Sequence, residues 1–318
     1  TAGEIQGPAV SQESIVMTAV AFEHTRVETS RVALSGPADS YEAAEEAIRR
    51  LPHDGLTHVF LLSDGLRANA SRVVQGAQSA LPPGVGLTGG CAADGDRMKE
   101  TQVWSNSDPG SCVAAFGLYG DRLLVNAATT GPWGPFGPDR LITRSKDNML
   151  YELDGLPALD VYKAYLGEHA AQLPASALLF PLLLHEPGSQ RCVLRAILGI
   201  NDADQSILFA GDVPEGYYAR LMRGTIERLL DGVFETASSI RDNLHYPSPD
   251  LSILVSCNGR RHVLKQRIEE EIEVLQDVLG LSAAVTGFYS YGEIGPVSPG
   301  EPSELHNETM SITTLAEK

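Results

Sequence analysis

Positive charge is scarce in this chain. Among 318 residues, 24 Lys and Arg face 41 Asp and Glu, a formal net charge of −17. Duplex DNA, RNA and anionic membranes are disfavoured as main partners, because their phosphates would be repelled. A small anionic ligand is not excluded, since a local pair of arginines can outweigh a distant field. Cysteine is also sparse: Cys91, Cys112, Cys192 and Cys257 form no CxxC pair, and no Cys/His spacing resembles a zinc site. A reduced, cytoplasmic setting is expected. Long apolar runs are missing. The longest, around Ala177 to Leu184, is too short to span a bilayer, and no signal peptide is visible.

What is present is core material. Hydrophobic residues make up 43% of the chain, enough for one large domain or two modest ones. Strands are expected over Ser14–Phe22, "THVFLLS", "GVGLTGG", "SCVAAFGLYG", "RLLVNAATT", "ASALLFPLLL", "RCVLRAILGI", "DLSILVSCNG", "AAVTGFYS" and "ETMSITTL". Helices are expected over Tyr41–Leu51, "ASRVVQGAQSAL", "ALDVYKAYLGEHA" and the long stretch "YYARLMRGTIERLLDGVFETASSI", with Ile226, Leu229, Leu230, Val233, Phe234 and Ala237 on one face. A last amphipathic helix, "RHVLKQRIEEEIEVLQDVLG", turns Leu264, Ile268, Ile272, Leu275 and Leu279 inward. Asp94 to Pro109 reads as a loop. Gly131 to Arg140, "GPWGPFGPDR", reads as irregular, a lobe boundary or binding loop.

Two stretches share one layout of strand, turn, helix, strand, loop and strand, with Ser63 matching Ser256 and Thr88-Gly89 matching Thr286-Gly287. Each is a βαβ unit, so its two strands should run parallel, with ligands beyond their carboxyl ends. The expected class is α/β: two related lobes built from βαβ-type repeats with mixed sheets. Gly-Glu-Ile stands at both Gly3–Ile5 and Gly292–Ile294. The N-terminal copy matches only the tail of a unit, so the chain reads as a fragment, or as cleaved before Thr1.

Chemistry concentrates in "SCNGRR", where a strand ends and a helix begins. Cys257, Asn258 and Gly259 form the turn, and Arg260 and Arg261 offer guanidinium groups for a carboxylate. Asn258 as a simple helix cap, with solvated or internally paired arginines, is the competing reading. Tyr289 and Tyr291 supply a wall, and Glu293 an acceptor for an ammonium group. Against these stands a structural turn whose Glu pairs with an Arg. His306 reads as a hydrogen-bonded residue or an axial ligand, and Asn307 as a partner for loop backbone. Cys257 with His306 also suggests a thiol nucleophile and base, the thiol pKa lowered at a helix start. "VGLTGG" lacks the Lys of a phosphate loop.

Together "TAGEI", "GLTGGCAADGD", "GPFGPDRLITRSKDNMLYELDGLPALDVYKAYL", "FPLLL", "SCNGRR" and "GFYSYGEIGP…HNETMSITTL" resemble the FIST family of prokaryotic sensory proteins. The resemblance runs nearly the whole length. It implies an N-terminal FIST region over residues 1–150, lacking its usual first strand and helix, and a C-terminal region over 151–318. It also implies a small-ligand sensor, for an amino acid or other small carboxylate. Signalling would pass to a separate histidine kinase, cyclic-di-GMP enzyme or chemotaxis protein. No cofactor is expected under that reading. A haem-based nitric-oxide sensor, with His306, His185, His24 or a Tyr as axial ligand, is the alternative. A hydrolase using Thr1 or Cys257 is a second.

Overall fold

A computed structural model of the chain describes residues 1–106, 110–189, 192–244 and 248–318. A hairpin opens it: β1 (Glu4–Gln6) and β2 (Ala9–Ser11), turned at Gly7 with φ +57°. There follow β3 (Arg26–Ala33), α1 (Ser40–Arg49), β4 (Leu56–Ser63), α2 (Ala70–Ala80), β5 (Gly86–Cys91), β6 (Cys112–Tyr119) and β7 (Leu123–Thr130). The middle of the chain gives β8 (Gly134–Lys146), β9 (Met149–Leu153), β10 (Leu156–Pro157), α3 (Ala158–Leu166), β11 (Leu182–His185), β12 (Cys192–Arg195), β13 (Ile197–Asn201), β14 (Ser206–Phe209) and β15 (Tyr218–Arg223). The rest comprises α4 (Ile226–Asp242), β16 (Leu251–Cys257), α5 (Asn258–Leu264), α6 (Glu270–Leu279), β17 (Ala284–Ser290), β18 (Gly292–Pro296), β19 (Ser303–His306) and β20 (Met310–Glu317). No helix among the described residues is long and apolar enough to cross a membrane.

These strands build three sheets of mixed direction, the α/β class expected. One runs β2-β1-β17-β16-β20-β7 and another β19-β18-β5-β4-β6-β3. The third, of eight strands, comes entirely from the middle of the chain, ordered β12-β11-β15-β8-β9-β14-β13 with β10 on β9. Both βαβ units are present: β4 pairs parallel with β5, and β16 with β17. The six-stranded sheets match strand for strand, and the two Gly-Glu-Ile copies occupy equivalent places in them. Ile5 on β1 sits opposite Gly287, and Ile294 on β18 opposite Gly89. At both glycines a Cβ would collide with a neighbouring carbonyl, of Leu254 and Leu61 respectively. Each hairpin therefore lies on the sheet built around the other βαβ unit.

Helices α1 and α2 bury Ala43, Ala47, Ile48, Val73, Val74 and Ala77 against one sheet. Helices α4 and α6 bury Val233, Ala237, Ile240, Ile272, Leu275 and Leu279 against its counterpart. The opposite faces of the two sheets meet through small residues, with Gly90 against Val255 and Phe288, and Gly295 against Ser311 and Thr129. The layers are helix, sheet, sheet, helix.

Several expected elements are corrected. Ser14–Phe22 forms no strand; Ile15 is 95% and Met17 88% exposed, and apolar content without a partner strand makes no ladder. "GPWGPFGPDR" is largely strand. Pro135 lies opposite Met222, the ladder slips between Arg220 and Met222, and β9 joins β8 only from Ile142, so the prolines fall where little pairing is required. The long helix starts at Ile226, after β15, whose Ala219 and Leu221 alternate inward; Thr225 caps it, accepting from the Arg228 N–H. Phe234, expected inward, is exposed. "ASALLFPLLL" is a 3-10 turn over Ala175–Leu179 followed by β11. "RCVLRAILGI" splits into β12 and β13, and Arg191 lies outside the described residues. The last helix breaks at Lys265, with φ +53°, yet Leu264, Ile272, Leu275 and Leu279 are buried as expected. "AAVTGFYSYGEIG", read from the sequence as a strand leading into a loop, is β17 followed after Tyr291 by a second strand, β18. The loop from Asp94 carries a bridge between Val103 and Gly110, and residues 107–109 lie outside the described ones.

Candidate functional site

Strand β16 ends at Cys257 and α5 follows directly. Cys257, not Asn258, is the cap: its sulfur accepts from the Gly259 N–H at 3.4 Å. Asn258 is buried with Oδ1 unpartnered. Arg260 points inward, fully buried. Its Nε and Nη2 donate to Glu271 Oε2 at 3.1 and 2.8 Å, and Nη2 also approaches the Leu229 carbonyl at 3.4 Å. The other Glu271 oxygen accepts from Tyr289 Oη at 2.6 Å and Ser256 Oγ at 3.1 Å. Arg260 and Tyr289 thus lock α5, α6, β16 and β17 together, and neither faces a cavity.

Glu293 is equally enclosed, on β18. It accepts from Ser290 Oγ, from Thr309 Oγ1 at 2.8 Å and from the Thr309 N–H at 3.3 Å. Burial pushes its pKa up to about 8, against those hydrogen bonds and nearby Arg260. His306 Nε2 donates to the Gly295 carbonyl at 3.0 Å, and Asn307 Nδ2 to the Tyr291 carbonyl at 3.2 Å. These side chains belong to the interior where β18 and β19 lie across the sheets. Arg260 and Glu293, read from the sequence as grips for a carboxylate and an ammonium group, are both fully buried and do not line a shared cavity.

A hollow does exist beyond the carboxyl ends of β5 and β16, against the eight-stranded sheet. It measures about 330 Å³. Met98, Leu173, Pro174, Leu178, Ile197 and Leu198 form its apolar wall. Cys257, Asn258, Gly259 and Tyr291 line the other side, with Glu308, which sequence reasoning missed. At the mouth, Asp96 accepts from Arg261 Nη2 at 3.1 Å and pairs with His262 Nε2 at 2.9 Å. Tyr291 Oη is held by Asp94 Oδ1 at 2.7 Å and the Gly95 carbonyl, fixing the ring in the wall.

Glu308 sits between β19 and β20 with φ +61°, a conformation costly for a residue with a side chain. Trp133 Nε1 donates to its carbonyl at 2.7 Å. Its carboxyl lies over Gly259, where any Cβ would strike it. It is 0% exposed, and no N–H or O–H donor reaches either oxygen. Burial, then the charge of Glu293, raises its pKa well above the carboxylate range; Arg260 and the Cys257 thiol oppose this. The Cys257 thiol is itself pushed far up, by burial and then by Glu293 and Glu308. The lowered pKa expected at a helix start is therefore overturned: carboxyls surround the sulfur. Thr1 Oγ1 donates to Glu4 Oε1 at 2.6 Å.

A larger cleft, about 560 Å³, opens between the six-stranded sheets at Thr57–His58 and Pro299–Ser303. Its buried His58 is bonded to Thr88 Oγ1 at 2.8 Å, and burial holds its pKa down to about 4. The smaller cavity is the candidate site because its wall carries buried polar atoms without partners.

Residues 1–156 match the model of the FIST N domain and residues 158–296 that of the FIST C domain. The chain belongs to the FIST family, whose domains are associated with sensory function in signal transduction. It is 26% identical over 206 residues to the uncharacterized protein MJ1623 of Methanocaldococcus jannaschii, a match covering 61% of this chain and 38% of that protein. A structural comparison pairs it with cyanuric acid hydrolase from A. caulinodans at 10% identity and a TM-score of 0.24, over 92% of this chain and 99% of that one; at that score the likeness carries no argument.

Proposed function

We propose that this chain is a cytoplasmic, small-ligand-binding sensor domain whose ligand, an amino acid or similar metabolite, occupies the 330 Å³ cavity. The observation that carries this reading is Glu308: a buried carboxyl that no N–H or O–H donor reaches, held in a strained conformation at the wall of an apolar hollow. An unsatisfied buried polar group is costly, and a ligand that satisfies it recovers that cost. Arg260 is committed to Glu271, so a ligand carboxylate would meet its guanidinium at the mouth, in Arg261, in competition with Asp96. The ligand would touch α5 and β18 on one side and β13 with the Gln172–Leu178 segment on the other. Binding then biases how these elements sit together, and a separate histidine kinase, cyclic-di-GMP enzyme or chemotaxis protein reads that bias.

The alternatives draw less support. His306 uses Nε2 on a backbone carbonyl away from the cavity, which does not fit an axial haem ligand there. The Cys257 thiol is held protonated, which does not suit a nucleophile. The test is a thermal-shift screen of amino acids and small organic amines and acids. A ligand at 100 times its Kd stabilises by about 2.7 kcal/mol. The Leu198→Trp variant, which fills the cavity, should lose the shift. A shift that survives in Leu198→Trp places the ligand elsewhere.

A further inference from the structure

Around the cavity the interior holds more acid than base. Arg260 and Glu271 neutralise each other at 2.8 Å. That leaves Glu293 and Glu308, both 0% exposed, with no cation of their own. Glu293 has Ser290 and Thr309 as hydrogen-bond donors; Glu308 has no N–H or O–H donor, only the weak thiol of Cys257 beside it. Asn258, which lines the same cavity, carries a second buried acceptor, its unpartnered Oδ1. Among the lining residues, the buried side-chain atoms left without a partner are all oxygens, of Glu308 and Asn258, and much of the opposite wall is hydrocarbon. Among the described residues no group of three or more His, Cys, Asp and Glu is placed to hold a metal ion.

We propose that Glu308 is the specificity-determining residue of this site, receiving the ammonium group of an amine with an apolar body, and that a ligand carboxylate is dispensable. The inference rests on the ligand-binding reading above. Asn258 Oδ1 takes a second N–H of the same group, and the alkyl chain lies along Leu173, Leu178, Ile197 and Leu198.

The exchange is balanced in protons. In the empty site Glu308 is a neutral carboxylic acid. The groups facing it are Cys257 on β16, Arg260 on α5, Glu293 on β18 and Tyr162 on α3, with Asp96 and His262 at the mouth. Only Arg260 among the inward ones is a cation, and it is already paired. When an ammonium group enters, the acid gives its proton to solvent and the carboxylate pairs with the ammonium. Each binding event releases close to one proton. Below the pKa of the empty site, affinity rises with pH, by up to about tenfold per pH unit.

The test is isothermal titration calorimetry on the full chain with three matched probes: isoamylamine, leucine and 4-methylpentanoate. Isoamylamine and leucine are expected to bind, and 4-methylpentanoate at least about tenfold more weakly. Glu308→Gln should lower isoamylamine affinity by about tenfold or more while leaving its far-ultraviolet circular dichroism unchanged. Should that variant fail to fold, the wild-type protein still decides: isoamylamine heats measured in buffers of different ionisation enthalpy must report release of about one proton. Binding of 4-methylpentanoate as tight as that of isoamylamine, unchanged amine affinity in Glu308→Gln, or no proton release overturns the assignment to Glu308 and leaves the cavity as a ligand site. Silence from all three probes, together with a thermal-shift screen in which nothing is lost on Leu198→Trp, overturns the occupancy itself.

Discussion

Glu293 keeps its proton up to about pH 8 in the folded chain, because burial outweighs its hydrogen bonds. An exposed glutamate in the unfolded chain titrates near 4.3. Between those values the native state binds more protons, so stability is greatest below the lower one and falls as pH rises toward the upper. Denaturant midpoints should therefore decline from about pH 5 to pH 8 and level off above, with Glu293→Gln flattening the slope; Glu308 acts in the same sense. A midpoint that rises across this range would contradict that account. The sequence exposed the strand-to-helix junction at Cys257–Arg261 and the loop around Tyr291, and four of those residues, Cys257, Asn258, Gly259 and Tyr291, do line the cavity. It did not show where the guanidinium points. Yet Glu271 stands three residues after Ile268 and four before Leu275, on the inward face of its helix, so its pairing with Arg260 was within reach of helical spacing. Glu308 had no such signal, since its left-handed backbone and its place over Gly259 arise only in three dimensions.

At the scale of elements, the paired Gly-Glu-Ile strands offer a matched comparison. Ile5 and Ile294 are both fully buried at equivalent positions of equivalent sheets. Ile5→Ala and Ile294→Ala should each cost about 2–5 kcal/mol, read from equilibrium denaturation. A negligible cost at Ile5 alone would mean that the first hairpin contributes little to its sheet. The βαβ units were legible because a crossover helix leaves a strong periodic pattern. The segment before α4 was not: alternation in Tyr218–Arg223 was masked by the apolar run that follows, although Gly224-Thr225 marks a helix start. Strand β8 defied its prolines because a neighbouring strand bulges there, and local composition carries no record of a partner's irregularity.

Across the whole molecule, the cavity is walled by segments far apart in sequence, at 95–98, 172–178, 196–198, 257–262, 291 and 308. Ligand binding should slow amide hydrogen exchange in the 172–178 and 196–198 segments together with 257–262. Protection confined to one of these groups would show that the ligand does not bridge them. Both βαβ units and their parallel pairing were visible in the sequence, whereas which sheet each hairpin would join was not, because the repeat says nothing of exchange. That exchange has a mechanical outcome. Residues 1–11 complete a sheet whose centre is made by β16, β17 and β20, and residues 292–306 complete one centred on β4, β5 and β6. A nick in the middle of the polypeptide would leave two pieces clasped together, and peeling either one free would strip the border from the other.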